Sequence, residues 1–127
     1  MARAEYLQLM LVGYLITVAV ETAVLVALLS RRHSVRVRLF AGAWLTACTY
    51  PVVWIVLPPL FEDRWLYLLV AETFAPVAEC AIFWLAFVRP LPPEHRATAR
   101  DFAAITLSNL CSFGLGLVLV ERGLFDL

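Results

Sequence analysis

The chain contains no lysine; its ten Lys/Arg positions are all arginine. Without lysine no side-chain Schiff base can form, so a retinal pigment or an imine-forming enzyme is excluded. All-arginine usage also fits a GC-rich, bacterial genome. Charge is scarce, at 16% of residues, where a soluble domain carries about 25%. The formal net charge is zero, so bulk charge makes no case for a nucleic-acid partner. Cys48, Cys80 and Cys111 each fall inside an apolar block. They show no CxxC or Cys/His spacing, which argues against zinc and for small packing residues. No histidine lies in an apolar block, since His33 and His95 both sit in polar breaks, so haem ligation from within a span is not expected. A nucleophile elbow, a phosphate-cradling glycine loop and an HExxH motif are missing too, and an enzyme is not the leading expectation.

What is present is apolar sequence in long blocks, 63% of all residues. A helix crosses the hydrocarbon core with about 20 apolar residues. Four blocks qualify, Tyr6–Leu29, Leu39–Leu57, Trp65–Val88 and Phe102–Val120. The expected fold is all-α, a single transmembrane domain over residues 1–127 built as a four-transmembrane-helix bundle. "SRRHSVRVR", "PPLFEDR" and "RPLPPEHRATARD" break the blocks, with prolines at 58, 59, 90, 92 and 93 where helices should stop. The first block is too long for a signal-peptide core and ends without a small-x-small site, so it is expected to stay.

Orientation follows from arginine in short loops. Arg31, Arg32, Arg36, Arg38, Arg89, Arg96 and Arg100 lie on one side; Arg3, Arg64 and Arg122 lie on the other. That places loops 30–38 and 89–101 in the cytoplasm and both termini outside, in a bacterial inner membrane. Tyr6, Trp54, Trp65 and Tyr67 fall near the outer span ends, and Phe40, Trp84 and Phe87 near the inner ends, where aromatic residues anchor a helix at the interface. The basic loop "RRHSVRVR" is read first as a topology determinant, with anionic headgroups as its other candidate partner. Loop histidines are read as ordinary loop residues rather than pH sensors.

Three acids interrupt the apolar blocks: Glu21, Glu72 and Glu79. Each charged acid deep in a span costs about 2.5–3.5 kcal/mol, and three on the order of 8–10 kcal/mol. No arginine or histidine lies within a span to offset them. The acids must be protonated, bonded by neutral donors, or neutralised by something outside the chain. Glu72 and Glu79 are two turns apart on one face, with Pro76 between them leaving a carbonyl free one turn back. At about 1.5 Å per residue, Glu21, Glu79, Asn109 and Thr46 fall at similar depth, and Glu72 and Tyr50 form a second layer toward the outer side. Two polar layers read as steps of a path. Small residues at four-residue spacing, Ala104, Ser108, Ser112 and Gly116, mark a close-packing face on the fourth helix, on which a membrane partner could dock.

The expected site is therefore Glu21, Glu72, Glu79 and Asn109 with Thr46 and Tyr50 as hydrogen-bond partners. Intramembrane acids are functional by default, and the expected role is binding or transport of a cation or a proton-coupled small substrate. Oxygen-only donors suit a hard divalent cation, with Glu21, Glu72 and Glu79 as its ligands, or no cofactor and only a proton. Two alternatives stand beside this. One is an assembly or accessory subunit whose acids are helix-packing hydrogen bonders, associating with itself or a membrane partner subunit. The other is a small enzyme using the carboxylates on a lipid, which needs a lateral opening beside Glu72 and Glu79. "VAVETAVLVALL" lacks the pattern around the first-helix glutamate of small multidrug resistance transporters, and "NLCSFGLGL" lacks the order of the Asn–Gly helix of small fluoride channels, so no family residues carry over.

Overall fold

The computed structural model describes residues 2–123. Its long helices are α1 (Arg3–Leu28), α2 (Val35–Pro51), α3 (Arg64–Phe83) and α4 (Thr98–Glu121). A π-helical turn, Val52–Val56, extends α2, and another, Trp84–Val88, extends α3. There are no strands among the described residues. With these extensions the four rods are each long and apolar enough to cross a membrane. They exceed the spans expected from hydropathy mainly at the basic-loop end, where α2 starts at Val35 and α4 at Thr98. Local signals explain the starts. Ser34 caps α2, its Oγ accepting from the Val37 N–H at 3.2 Å. Asp63 caps α3, with Oδ1 accepting from Trp65 and Leu66.

The helices pack as a square. α1 packs on α2 and α4, and α3 packs on the same two, so α1 and α3 stand on the diagonal. α1 and α2 come into tight contact at Gly42, where a Cβ would lie 2.7 Å from the Thr22 Cα. Only glycine fits there.

The two halves of the bundle are filled differently. Toward the basic loops, Leu25, Leu29, Ala41, Leu45, Phe83, Val88, Ala104 and Ile105 form a solid apolar core. Toward the other end the interior is hollow, with a cavity of about 380 Å³. The polar layers expected from spacing therefore do not continue as a path. Large side chains from all four rods close the way below Glu21 and Glu79.

The hollow end is shaped by proline. Pro51 has no N–H, and the chain beyond it shifts to a wider turn in which the Leu57 N–H reaches the Val52 carbonyl at 2.9 Å. The Trp54 carbonyl would need the N–H of residue 58 or 59, and both are proline. The Val53 carbonyl loses its partner because the Leu57 N–H is already used. Two tyrosines take these orphans: the Tyr6 hydroxyl donates to the Trp54 carbonyl and the Tyr67 hydroxyl to the Val53 carbonyl, each at 2.6 Å. Tyr6, Trp54 and Tyr67 thus turn into the bundle and line the cavity, in place of the interface anchoring expected for them. Trp65, 77% exposed, keeps the outward position.

Candidate functional site

Two carboxylates sit where the apolar core gives way to the cavity. Glu21 is 3% exposed and Glu79 2%. They come from the diagonal helices α1 and α3, and the helices between supply their donors. Glu21 Oε2 accepts from the Thr46 hydroxyl of α2 at 2.7 Å, and Oε1 from the Ser112 hydroxyl of α4 at 2.8 Å. Glu79 Oε2 accepts from the Asn109 amide of α4, and Oε1 faces the Thr49 hydroxyl of α2 at 3.5 Å. Each acid is thus slung between α2 and α4 on neutral donors. No arginine or histidine contacts either acid; among the described residues the one acid–base pair within salt-bridge distance is His33 with Asp101.

Every hydroxyl in this network has two acceptors within reach and one proton to give. Thr46 Oγ also lies 3.0 Å from the Gly42 carbonyl, Thr49 Oγ 3.2 Å from the Leu45 carbonyl, and Ser112 Oγ 3.1 Å from the Asn109 carbonyl. An ionised glutamate draws these protons to itself. A protonated one donates to a hydroxyl oxygen, which turns its own proton back to the helix carbonyl. Asn109 spends its second N–H on the Ile105 carbonyl at 3.0 Å and stays satisfied throughout. The arrangement holds both acids in either protonation state without leaving a buried partner unpaired, and rotation of single hydroxyls is the only motion required.

Above this layer lies the cavity. Glu21, Thr46, Thr49 and Asn109 line its inner end and Glu72 its side. Tyr6, Tyr50, Trp54, Tyr67 and Phe113 form an aromatic wall, and Arg64 stands at the far end. Tyr50 stacks on Trp54 with centroids 5.5 Å apart and meets Tyr14 edge-on at 5.4 Å.

Of the residues expected from sequence, the structure joins Glu21 to Thr46 and Glu79 to Asn109. Glu72 stands apart, half-buried on the cavity side, with no side-chain hydrogen bond among the described residues. Tyr50 is not a partner of the acids: its hydroxyl donates to the Met10 carbonyl at 3.0 Å, passing over Gly13. The three acids do not form a metal-ligand set either. Among the described residues no three His, Cys, Asp or Glu side chains come together closely enough to hold one ion. The small-residue face of α4 is also spent internally. Ala104 and Ser108 are buried, Ser112 holds Glu21 and Gly116 lines the cavity, so this face is not a free docking stripe.

No family model, curated protein or solved structure matches this chain. Its chemistry must be read from its own geometry.

The sequence reading missed Ser112 and Thr49 as partners of the acids. Four-residue spacing from Ser108 and the Glu79 depth layer were the available signals, but both residues pass as ordinary packing positions. It also missed a polar cluster at the opposite end. Asp101 is 0% exposed, in the first turn of α4, though its neighbours read as loop. Its Oδ2 lies 2.8 Å from His33 Nε2, and its Oδ1 accepts the Ser30 N–H at 2.9 Å. Phe83 covers the imidazole edge-on at 4.9 Å. His33 is therefore a buried structural residue rather than an idle loop histidine. The cluster ties the α1–α2 loop onto α4 and seals the solid end of the bundle. Beside it, Arg38 donates to the Val26 carbonyl at 2.6 Å and Arg100 to the Leu28 carbonyl at 3.1 Å. Both put positive charge on the carbonyl end of α1, where the helix dipole favours it.

Proposed function

We propose that the protein binds a small organic cation in the cavity in exchange for a proton held on the Glu21/Glu79 pair. The observation that carries this reading is a pair of deeply buried carboxylates without a basic partner, held by donors that serve either protonation state. An incoming positive charge offsets the cost of ionising an acid at this depth. The cavity favours an organic cation over a hard metal ion. Its wall is aromatic, and tyrosine and tryptophan faces attract cations at about 0.5–2 kcal/mol each. A hard divalent ion would need a compact set of oxygen ligands, which the acids do not provide. Glu72, with no side-chain hydrogen bond among the described residues, adds a further carboxyl on the cavity side.

With the basic loops in the cytoplasm of a bacterial inner membrane, the cavity faces outward and the solid core closes it inward. Transport rather than binding alone would require the Leu25–Leu45–Phe83–Ile105 layer to part. Action on a lipid is less well supported, because it needs Glu72 and Glu79 to act together on one substrate, and of these two only Glu72 lines the cavity.

The test is proton release. Tetraethylammonium is added to the protein in weakly buffered lipid nanodiscs containing a pH indicator, with sodium as comparator. The expected result is proton release on tetraethylammonium addition that is lost in Glu21→Gln and Glu79→Gln. Release that survives in the double variant, or none in the wild type, refutes the exchange.

A further inference from the structure

A second polar hollow lies at the basic-loop end, some distance along the bundle from the acids. It is lined by Ser30, Arg31, Arg32, Ala97 and Arg100. Three features converge there. Arg31 and Arg32 are exposed and make no side-chain hydrogen bond or salt bridge among the described residues. The first turn of α4 starts beside it with Ala97 at the cap position, which offers no side-chain acceptor to the free amides. A 24-residue helix leaves partial positive charge at that end. The third feature is independent of charge. Ser30 is 3% exposed, and its Oγ is buried with no hydrogen-bond partner among the described residues. A buried hydroxyl without a partner is costly and calls for an acceptor.

Asp101 does not spoil the site for an anion. Its two oxygens are turned to the Ser30 N–H and to His33, on the inner side of the same turn. The Arg100 Nε is engaged with the Leu28 carbonyl, which holds that guanidinium at the rim.

We propose that this hollow binds a phosphate group. Arg31 and Arg32 supply charge and forked donors, the α4 amides supply the helix end, and the Ser30 hydroxyl supplies the buried hydrogen bond. Its place at the end of two spanning helices sets it at headgroup depth. The phosphate can come from an anionic lipid or from a soluble phosphate ester, and the two sources separate by experiment. This site does not depend on the cation reading.

The experiment uses the full chain, purified in detergent and exposed to phosphatidylglycerol or to inorganic phosphate. Native mass spectrometry counts retained lipid, and phosphorus NMR line broadening reads free phosphate. One retained phosphatidylglycerol without phosphate broadening assigns the site to lipid; broadening by phosphate that competes with the lipid assigns it to the phosphate group alone. Arg31→Gln and Arg32→Gln should each weaken retention about fivefold, the effect of one basic residue at an anionic surface. Ser30→Ala should weaken it about tenfold or more, the loss of a hydrogen bond to a charged group. The control is Arg36→Gln, in the first turn of α2 and outside the hollow, which should change little. Equal losses in Arg36→Gln and Arg31→Gln, or full retention in Ser30→Ala, would mean diffuse attraction to a basic loop and overturn the proposal. Binding of neither probe overturns it as well.

Discussion

Glu79→Gln and Glu79→Leu separate a proton-exchanging acid from one that merely holds helices together. In Glu79→Gln the side-chain oxygen still accepts from Asn109. The new amide donates to Thr49 Oγ, which turns its proton to the Leu45 carbonyl 3.2 Å away. Both former partners of Glu79 keep a bond and only the second N–H of the new amide is left over, so stability should fall by about 1 kcal/mol. In Glu79→Leu, Thr49 can still retreat to Leu45, but one Asn109 N–H is stranded. Asn109 is only 7% exposed and its other N–H is committed to Ile105. A stranded buried donor costs about 1–3 kcal/mol. Gln keeps both bonds to α2 and α4 and Leu keeps neither, so reversible unfolding in mixed micelles, followed by tryptophan fluorescence, should place Gln close below wild type and Leu lowest. Both variants should lose the proton released by tetraethylammonium. If Gln is as unstable as Leu, the fold needs the carboxylate itself, and the hydroxyl-switching account of the network is wrong.

Three further perturbations probe the contacts that shape the bundle. Tyr6→Phe should destabilise by about 1–3 kcal/mol, because the Trp54 carbonyl has no other donor within the helix, and Tyr67→Phe should do the same for Val53; the unfolding midpoint checks both. Gly42→Ala should cost about 1–3 kcal/mol by forcing α1 from α2, and it should also weaken cation-linked proton release, since Thr46 one turn on is the donor to Glu21. Asp101→Ala leaves the Ser30 N–H and His33 without their partner and should cost about 2–4 kcal/mol, while Asp101→Asn, which can accept from Ser30 and donate to His33, should retain most of the stability. Amide exchange at residues 29–34 should rise in the alanine variant and not in the asparagine variant.

Local chemistry made much of this protein legible in the sequence. Blocks of apolar residues cannot hide in a chain this short except in lipid or in each other, so four helices follow from hydropathy, and prolines 58, 59, 90, 92 and 93 mark their limits. An acid in such a block must have its charge answered, so Glu21 and Glu79 were recognisable as groups needing partners, and helical rise was enough to bring Thr46 and Asn109 to their level. What rise cannot give is rotation about the helix axis and the neighbour across a gap. Only the square packing, with α1 and α3 on the diagonal, decided that α2 and α4 supply the donors, that Tyr50 turns to Met10, and that Glu72 is without a hydrogen bond among the described residues. It also decided that the basic-loop half is solid and the opposite half hollow, because filling depends on which side chains meet across the bundle. The pairing of His33 with Asp101, 68 residues apart, joins the α1–α2 loop to the first turn of α4, two polar stretches that each look solvated on their own. The sequence by itself determined which groups needed partners; the tertiary structure chose them, because a hydrogen bond is made between atoms about 3 Å apart and not between positions in a chain.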